Sequence, residues 1–78
     1  MTVGERIRRR REALGWTQTE LAQRSFVHRT TIVGIERGRR LPQFDTLADL
    51  AEVLQFSEAD LTALAEDARS SRSAPKQP

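Results

Sequence analysis

The 78-residue sequence contains no cysteine and no tyrosine, a single lysine beyond residue 70, one histidine and one tryptophan. Without cysteine there is no disulfide, no thiolate metal site and no thiol nucleophile. One histidine leaves little for acid–base catalysis, and no glycine-rich loop is present to cradle a phosphate. Apolar stretches such as Val53-Leu54 are far too short for a membrane span or a signal-peptide core, so a cytoplasmic protein that contacts no membrane is expected. Asp45, Asp49 and Glu52 share one face of a predicted helix, but no histidine joins them. No enzyme activity, metal or cofactor is expected from such a chain. Its length allows one small domain with a thin core, which a second copy or a bound partner would stabilise.

What is present is arginine, and its placement says more than the net charge of +2. Residues 1–40 hold ten arginines against four glutamates. Residues 41–68 hold seven acids and no basic residue, and residues 69–78 add three cations. Arginine presents a planar fork that fits phosphates and guanine edges better than an ammonium does. A basic front and an acidic back suggest one face meant for a polyanion and one turned away from it. A merely solvated charged surface is the competing explanation.

Periodicity predicts five helices and no strand. Thr2-x-x-Glu5 and Thr17-x-x-Glu20 have the capping-box spacing, and Ser57-Glu58-Ala59-Asp60 looks like a third cap. Val3, Ile7 and Leu14 mark one face of the first helix, which Gly15 should end. The second helix runs to about Ser25 with Leu21 and Ala22 inward. The third spans about Arg29 to Arg37 with Ile32 and Ile35 as anchors, and Gly38 ends it. Phe44, Leu47, Leu50, Ala51 and Leu54 form the apolar stripe of a fourth helix through about Gln55. Leu61, Leu64, Ala65 and Ala68 mark the fifth. These elements give an expected domain over residues 1–68 and a disordered polar tail over residues 69–78.

Arg11 sits four residues after Ile7 and three before Leu14, on the apolar face of its helix. A charge there needs a partner. Glu36 follows the core position Ile35 at a helix C-terminus, where a carboxylate opposes the dipole and also wants a cation. An Arg11–Glu36 pair tying the first helix to the third is the expectation; both being simply exposed is the alternative.

The segments Trp16-Thr17-Gln18-Thr19-Glu20-Leu21-Ala22 and Thr31-Ile32-Val33-Gly34-Ile35-Glu36-Arg37-Gly38, followed by Pro42 and Leu47, resemble the phage-repressor-like helix-turn-helix family. The resemblance covers roughly residues 3–67. The run His28–Gly38 looks most like the controller proteins of restriction–modification systems. This resemblance implies an all-α, five-helix lambda-repressor-like DNA-binding domain whose second and third helices form the motif. It also implies a transcriptional regulator, repressor or activator, that dimerises through its last helix, and it supports the Arg11–Glu36 pair. Two positions depart from the family pattern. Phe26 stands where the backbone often takes positive φ, a conformation strained for phenylalanine. Either the turn differs or packing of Phe26 offsets the strain. His28 replaces the commoner Ser, Thr or Asp cap.

In a helix-turn-helix the second helix of the motif enters the major groove with its N-terminal residues at base edges. His28, Arg29, Thr30 and Val33 are the candidate base readers, with Arg29 suited to guanine O6 and N7 and Val33 to a thymine methyl. Arg29 as a phosphate contact and His28 as an exposed cap substitute are the simpler readings. Gly34 reads nothing but lets the helix sit close. Gln18 at a helix N-terminus, and Arg37, Arg39 and Arg40 after the recognition helix, are candidate phosphate contacts. Trp16 is read as a cover on the core. Phe56, Leu61, Leu64, Ala65 and Ala68 are the candidate dimer interface. Glu20, an acid on the first motif helix, is a candidate contact for RNA polymerase; service as the capping-box carboxylate alone is the alternative. Two other functions fit the same features: an antitoxin that holds a toxin, and an interaction module that never binds DNA.

Overall fold

The structure, a computed structural model, describes residues 1–72 and side chains as far as Arg69. Its elements are α1 (Val3–Ala13), α2 (Gln18–Ser25), α3 (Arg29–Glu36), α4 (Phe44–Val53) and α5 (Glu58–Arg72), with no strand among the described residues. α1 and α2 begin on complete capping boxes: each Thr hydroxyl accepts the backbone N–H of its Glu, and each Glu side chain accepts the Thr backbone N–H. α5 begins on the equivalent exchange, with Ser57 N–H donating to Asp60 Oδ2 at 3.0 Å and Asp60 N–H to Ser57 Oγ at 3.1 Å. α5 continues past Ala68 to Arg72, so residues 69–72 of the expected tail are helical backbone; the remainder lies outside the described residues.

Three helices end alike. After α1, Trp16 N–H donates to Arg11 O and Gly15 N–H to Glu12 O. After α3, Arg39 N–H donates to Gly34 O and Gly38 N–H to Ile35 O; after α4, Phe56 N–H donates to Ala51 O and Gln55 N–H to Glu52 O. These are Schellman closures, which need a left-handed residue just past the cap. Gly15 and Gly38 supply it at φ +78° and +75°, and Gln55 supplies it at +60° despite its Cβ. Gln55 therefore lies just past the end of α4, whose last helical residue is Val53.

Val3, Ile7, Leu21, Ile32, Ile35, Leu50, Leu54 and Leu64 form one core drawn from all five helices and their caps. α3 packs on α1 and α2, α4 on α2, and α5 on α1. α1 approaches α3 so closely that a Cβ at Gly4 would overlap the carbonyl oxygen of Ile35.

The outer end of the apolar stripe of α4 departs from expectation. Phe44 is 83% exposed, because the first turn of α4 overhangs an open groove between α4 and α5 instead of facing the core. Leu64, expected at a dimer surface, is 1% exposed and belongs to this chain's own core. Phe56 and Ala68 are half-buried against the same core, which leaves Leu61 and Ala65 as the outward residues of the expected interface.

Candidate nucleic-acid interface

The Arg11–Glu36 pair forms. Arg11 Nε donates to Glu36 Oε2 at 2.8 Å and Nη2 donates to Oε1 at 3.0 Å, a two-pronged match of fork and carboxylate. A further nitrogen, Nη1, donates to the backbone carbonyl of Trp16 at 2.7 Å, at the α1–α2 corner. Donating to the Glu36 carboxylate raises the guanidinium pKa above its ordinary value, against the opposing pull of burial. Gln18 joins the cluster: its Nε2 donates to Glu36 Oε1 at 3.1 Å. The amide expected at a phosphate is thus held by Glu36. This fixes the start of α2 to the end of α3, and Gln18 retains its backbone N–H at the first helical position for an anion.

The turn between α2 and α3 contains a strained residue. Phe26 caps α2 at φ 60°, ψ 25° and is 95% exposed. Neither expected escape applies: the turn is left-handed, and no packing offsets it. What steadies the turn is Ser25, which is buried. Its Oγ donates to Leu21 O at 2.7 Å and accepts the N–H of Val27 at 3.3 Å. His28 stands at the N-cap of α3 without a side-chain cap bond, so it is no cap substitute and its exposed ring is uncommitted.

α3 buries Ile32 and Ile35 and turns Arg29 and Thr30 to solvent, with Val33 half-exposed beside them. Arg37, Arg39 and Arg40 follow, all exposed. Among the described residues the side chains of these last three and of Arg29 make no hydrogen bond or ion pair. The other arginines of the basic front are mostly committed. Arg6 pairs with Asp67 at 2.8 Å, Arg8 with Glu12 at 3.1 Å, and Arg10 Nε donates to Leu54 O at 2.8 Å. Arg24 lies 4.4 Å from the centroid of the Trp16 ring, which covers the core as expected. Sequence alone does not separate these two classes. The separation follows from which arginines find an acid or a carbonyl across a helix contact.

Glu20 is the α2 capping-box carboxylate, its Oε1 accepting Thr17 N–H at 2.8 Å. Gly4 was not singled out in the sequence, although a glycine early in an amphipathic helix is the one signal of a close approach there.

The helix-turn-helix domain family matches over residues 2–64. A protein of Sinorhizobium fredii described as an uncharacterised HTH-type transcriptional regulator is 39% identical over 59 residues, covering 76% of this chain and 77% of its own. No solved structure matches. The two capped helices, the turn at Phe26 and the exposed face of α3 lie within the matched span. This chain belongs to the helix-turn-helix domain family of DNA-binding transcriptional regulators.

Proposed function

We propose that the protein is a sequence-specific regulator that binds a near-palindromic operator as a homodimer, with α3 of each subunit in a major groove. The observation that carries this reading is the set of unpaired, exposed arginines on α3 and the loop behind it, on a chain that commits Arg6, Arg8, Arg10, Arg11 and Arg24 internally. Arg29 offers its fork to a guanine, Thr30 and Val33 meet neighbouring bases or a thymine methyl, and His28 reaches the groove at the helix start. Arg37 and Arg39 neutralise phosphates, with the N-terminus of α2 at Gln18 as a further backbone contact. By charge alone, Arg40 belongs with them.

Dimerisation is supported by the groove of about 640 Å³ between α4 and α5, flanked by exposed Leu41, Phe44, Leu61 and Ala65. A two-fold pairing that holds the recognition helices about 34 Å apart would match half-sites about 10 bp apart. A controller role in restriction–modification is the finer identity that the His28–Gly38 likeness suggests. Glu20 already serves its helix end, and the geometry adds nothing toward a polymerase contact.

Selection of bound duplexes from a random pool, followed by sedimentation of protein alone and with the selected site, tests the reading. A two-fold-related motif and a dimer are expected. A pool that stays random removes sequence-specific binding. A monomer at concentrations on the order of tens of micromolar, with or without DNA, removes the dimer.

A further inference from the structure

Gly34 lies in the interior of α3, where glycine is the poorest helix former after proline. Its backbone is ordinary: the glycines with positive φ are Gly15 and Gly38. Nothing in the helix geometry calls for glycine at this position. Its side-chain direction is nonetheless taken. A Cβ built on Gly34 would stand 3.3 Å from Arg40 Nε, 3.4 Å from Arg40 Cγ and 3.6 Å from Arg40 Cδ. The Arg40 stem therefore lies across Gly34 where a side chain of α3 would project.

The placement has a local cause. Gly38 reverses the chain in the left-handed region, and Arg39 N–H closes back onto Gly34 O at 2.8 Å. This brings the following residue, Arg40, alongside Gly34. Position 34 lies one turn after Thr30 and three residues before Arg37, and both of those are exposed. Residues so spaced share a helix face. The uncommitted guanidinium of Arg40 thus joins the outward row of α3, about 6 Å along the axis from Thr30.

We propose that Arg40 is a specificity-determining residue that reads a base, taking over from the loop the recognition position that Gly34 leaves without a side chain. This rests on the DNA-binding reading above. A guanidinium in that row would donate two hydrogen bonds to O6 and N7 of a guanine one or two base pairs from the one met by Arg29. Gly34 then has a positive role: it is the seat that lets an arginine from outside the helix lie in the groove.

The test uses the full chain and the duplex selected by the unmodified protein. Arg40→Ala should lose affinity for that duplex by roughly tenfold or more, lose much less on a scrambled duplex, and relax preference at one guanine per half-site when selection is repeated. Gly34→Ala removes no charge and places a methyl 3.3 Å from Arg40 Nε, so the stem must shift by a few tenths of an ångström and preference at the same guanine should weaken, by less than in Arg40→Ala. The thermal midpoint of Gly34→Ala should be unchanged or higher, because alanine favours the helix, which excludes misfolding as the cause. The double variant should be no worse than Arg40→Ala alone, since the methyl acts only through Arg40. Arg40→Lys should keep the salt dependence and lose the guanine preference. Equal losses for Arg40→Ala on both duplexes, with every selected position retained, would make Arg40 a phosphate contact and overturn the proposal; a double variant clearly worse than Arg40→Ala would show that position 34 meets the DNA itself and would overturn it too. Failure of the unmodified protein to select any site would instead overturn the DNA-binding reading itself.

Discussion

Glu36 keeps only 3% of its side chain exposed, and Arg11 and Gln18 are what make that burial tolerable. Removing one partner of a buried pair leaves an uncompensated charge, so Arg11→Ala should destabilise the fold by about 3–5 kcal/mol in urea titrations. A loss under about 1 kcal/mol would mean that Glu36 finds water instead. Gly4 makes an equally local prediction. Gly4→Ala drives a methyl into the Ile35 carbonyl and must push α1 off α3, costing about 1–3 kcal/mol or more, although alanine is the better helix former. Phe26 runs the other way. It holds a left-handed backbone with its ring in solvent, so Phe26→Gly relieves strain and forfeits no burial. A gain of about 1 kcal/mol in chemical denaturation is expected. The position was legible as unusual from its type alone; the exposure of the ring was not, because one apolar residue in a turn carries no periodicity to point it inward or outward.

At the scale of the helices, the ends were more legible than the faces. Thr2, Thr17 and Ser57 announce starts through side chains that can bond only locally, and Gly15 and Gly38 announce stops through a backbone freedom no other residue shares. Gln55 was missed as a stop because nothing in glutamine favours positive φ. Gln55→Gly should therefore stabilise the closure of α4 by about 0.5–1 kcal/mol, read as a raised denaturation midpoint. The faces failed where helices run beyond the core. Phe44 and Leu61 continue the apolar spacing of α4 and α5 but overhang the groove, and the spacing of Leu64 is identical in kind to that of Leu61. The α5 cap also titrates. Hydrogen bonding from Ser57 holds the Asp60 carboxyl below its ordinary 3.8. Its contribution is therefore complete above that value and is lost as pH falls through the lowered one. Asp60→Asn should flatten the loss of stability that sets in as pH falls below about 3.8, measured by denaturation midpoints.

At the scale of the whole molecule, charge is divided three ways: arginines spent on holding helices together, arginines kept for a polyanion, and acids on α4 and α5. Composition by halves showed the polarity but not the first class, since Arg6 reaches Asp67 across sixty-one residues. For a dimer, the free class predicts a log–log salt slope on the order of −5 to −9, and a slope near zero would remove the polyanion argument. The split between Leu61 and Leu64 gives a paired test of assembly. Leu61→Asp should yield a folded monomer that binds DNA weakly, whereas Leu64→Asp should lose helical circular dichroism altogether. A folded Leu64→Asp would place that residue at the surface after all. The corner where α1 meets α2 carries one more consequence, this one optical. Trp16 is the only indole in a chain without phenols, its carbonyl is gripped by Arg11, and a guanidinium lies over its ring. All red-edge ultraviolet emission therefore originates at this corner, where the buried ion pair and the Arg24 stack meet. The intact protein carries its own reporter on the joint that orients the motif, and a shift of that emission on adding operator would time the movement of the joint without any attached dye.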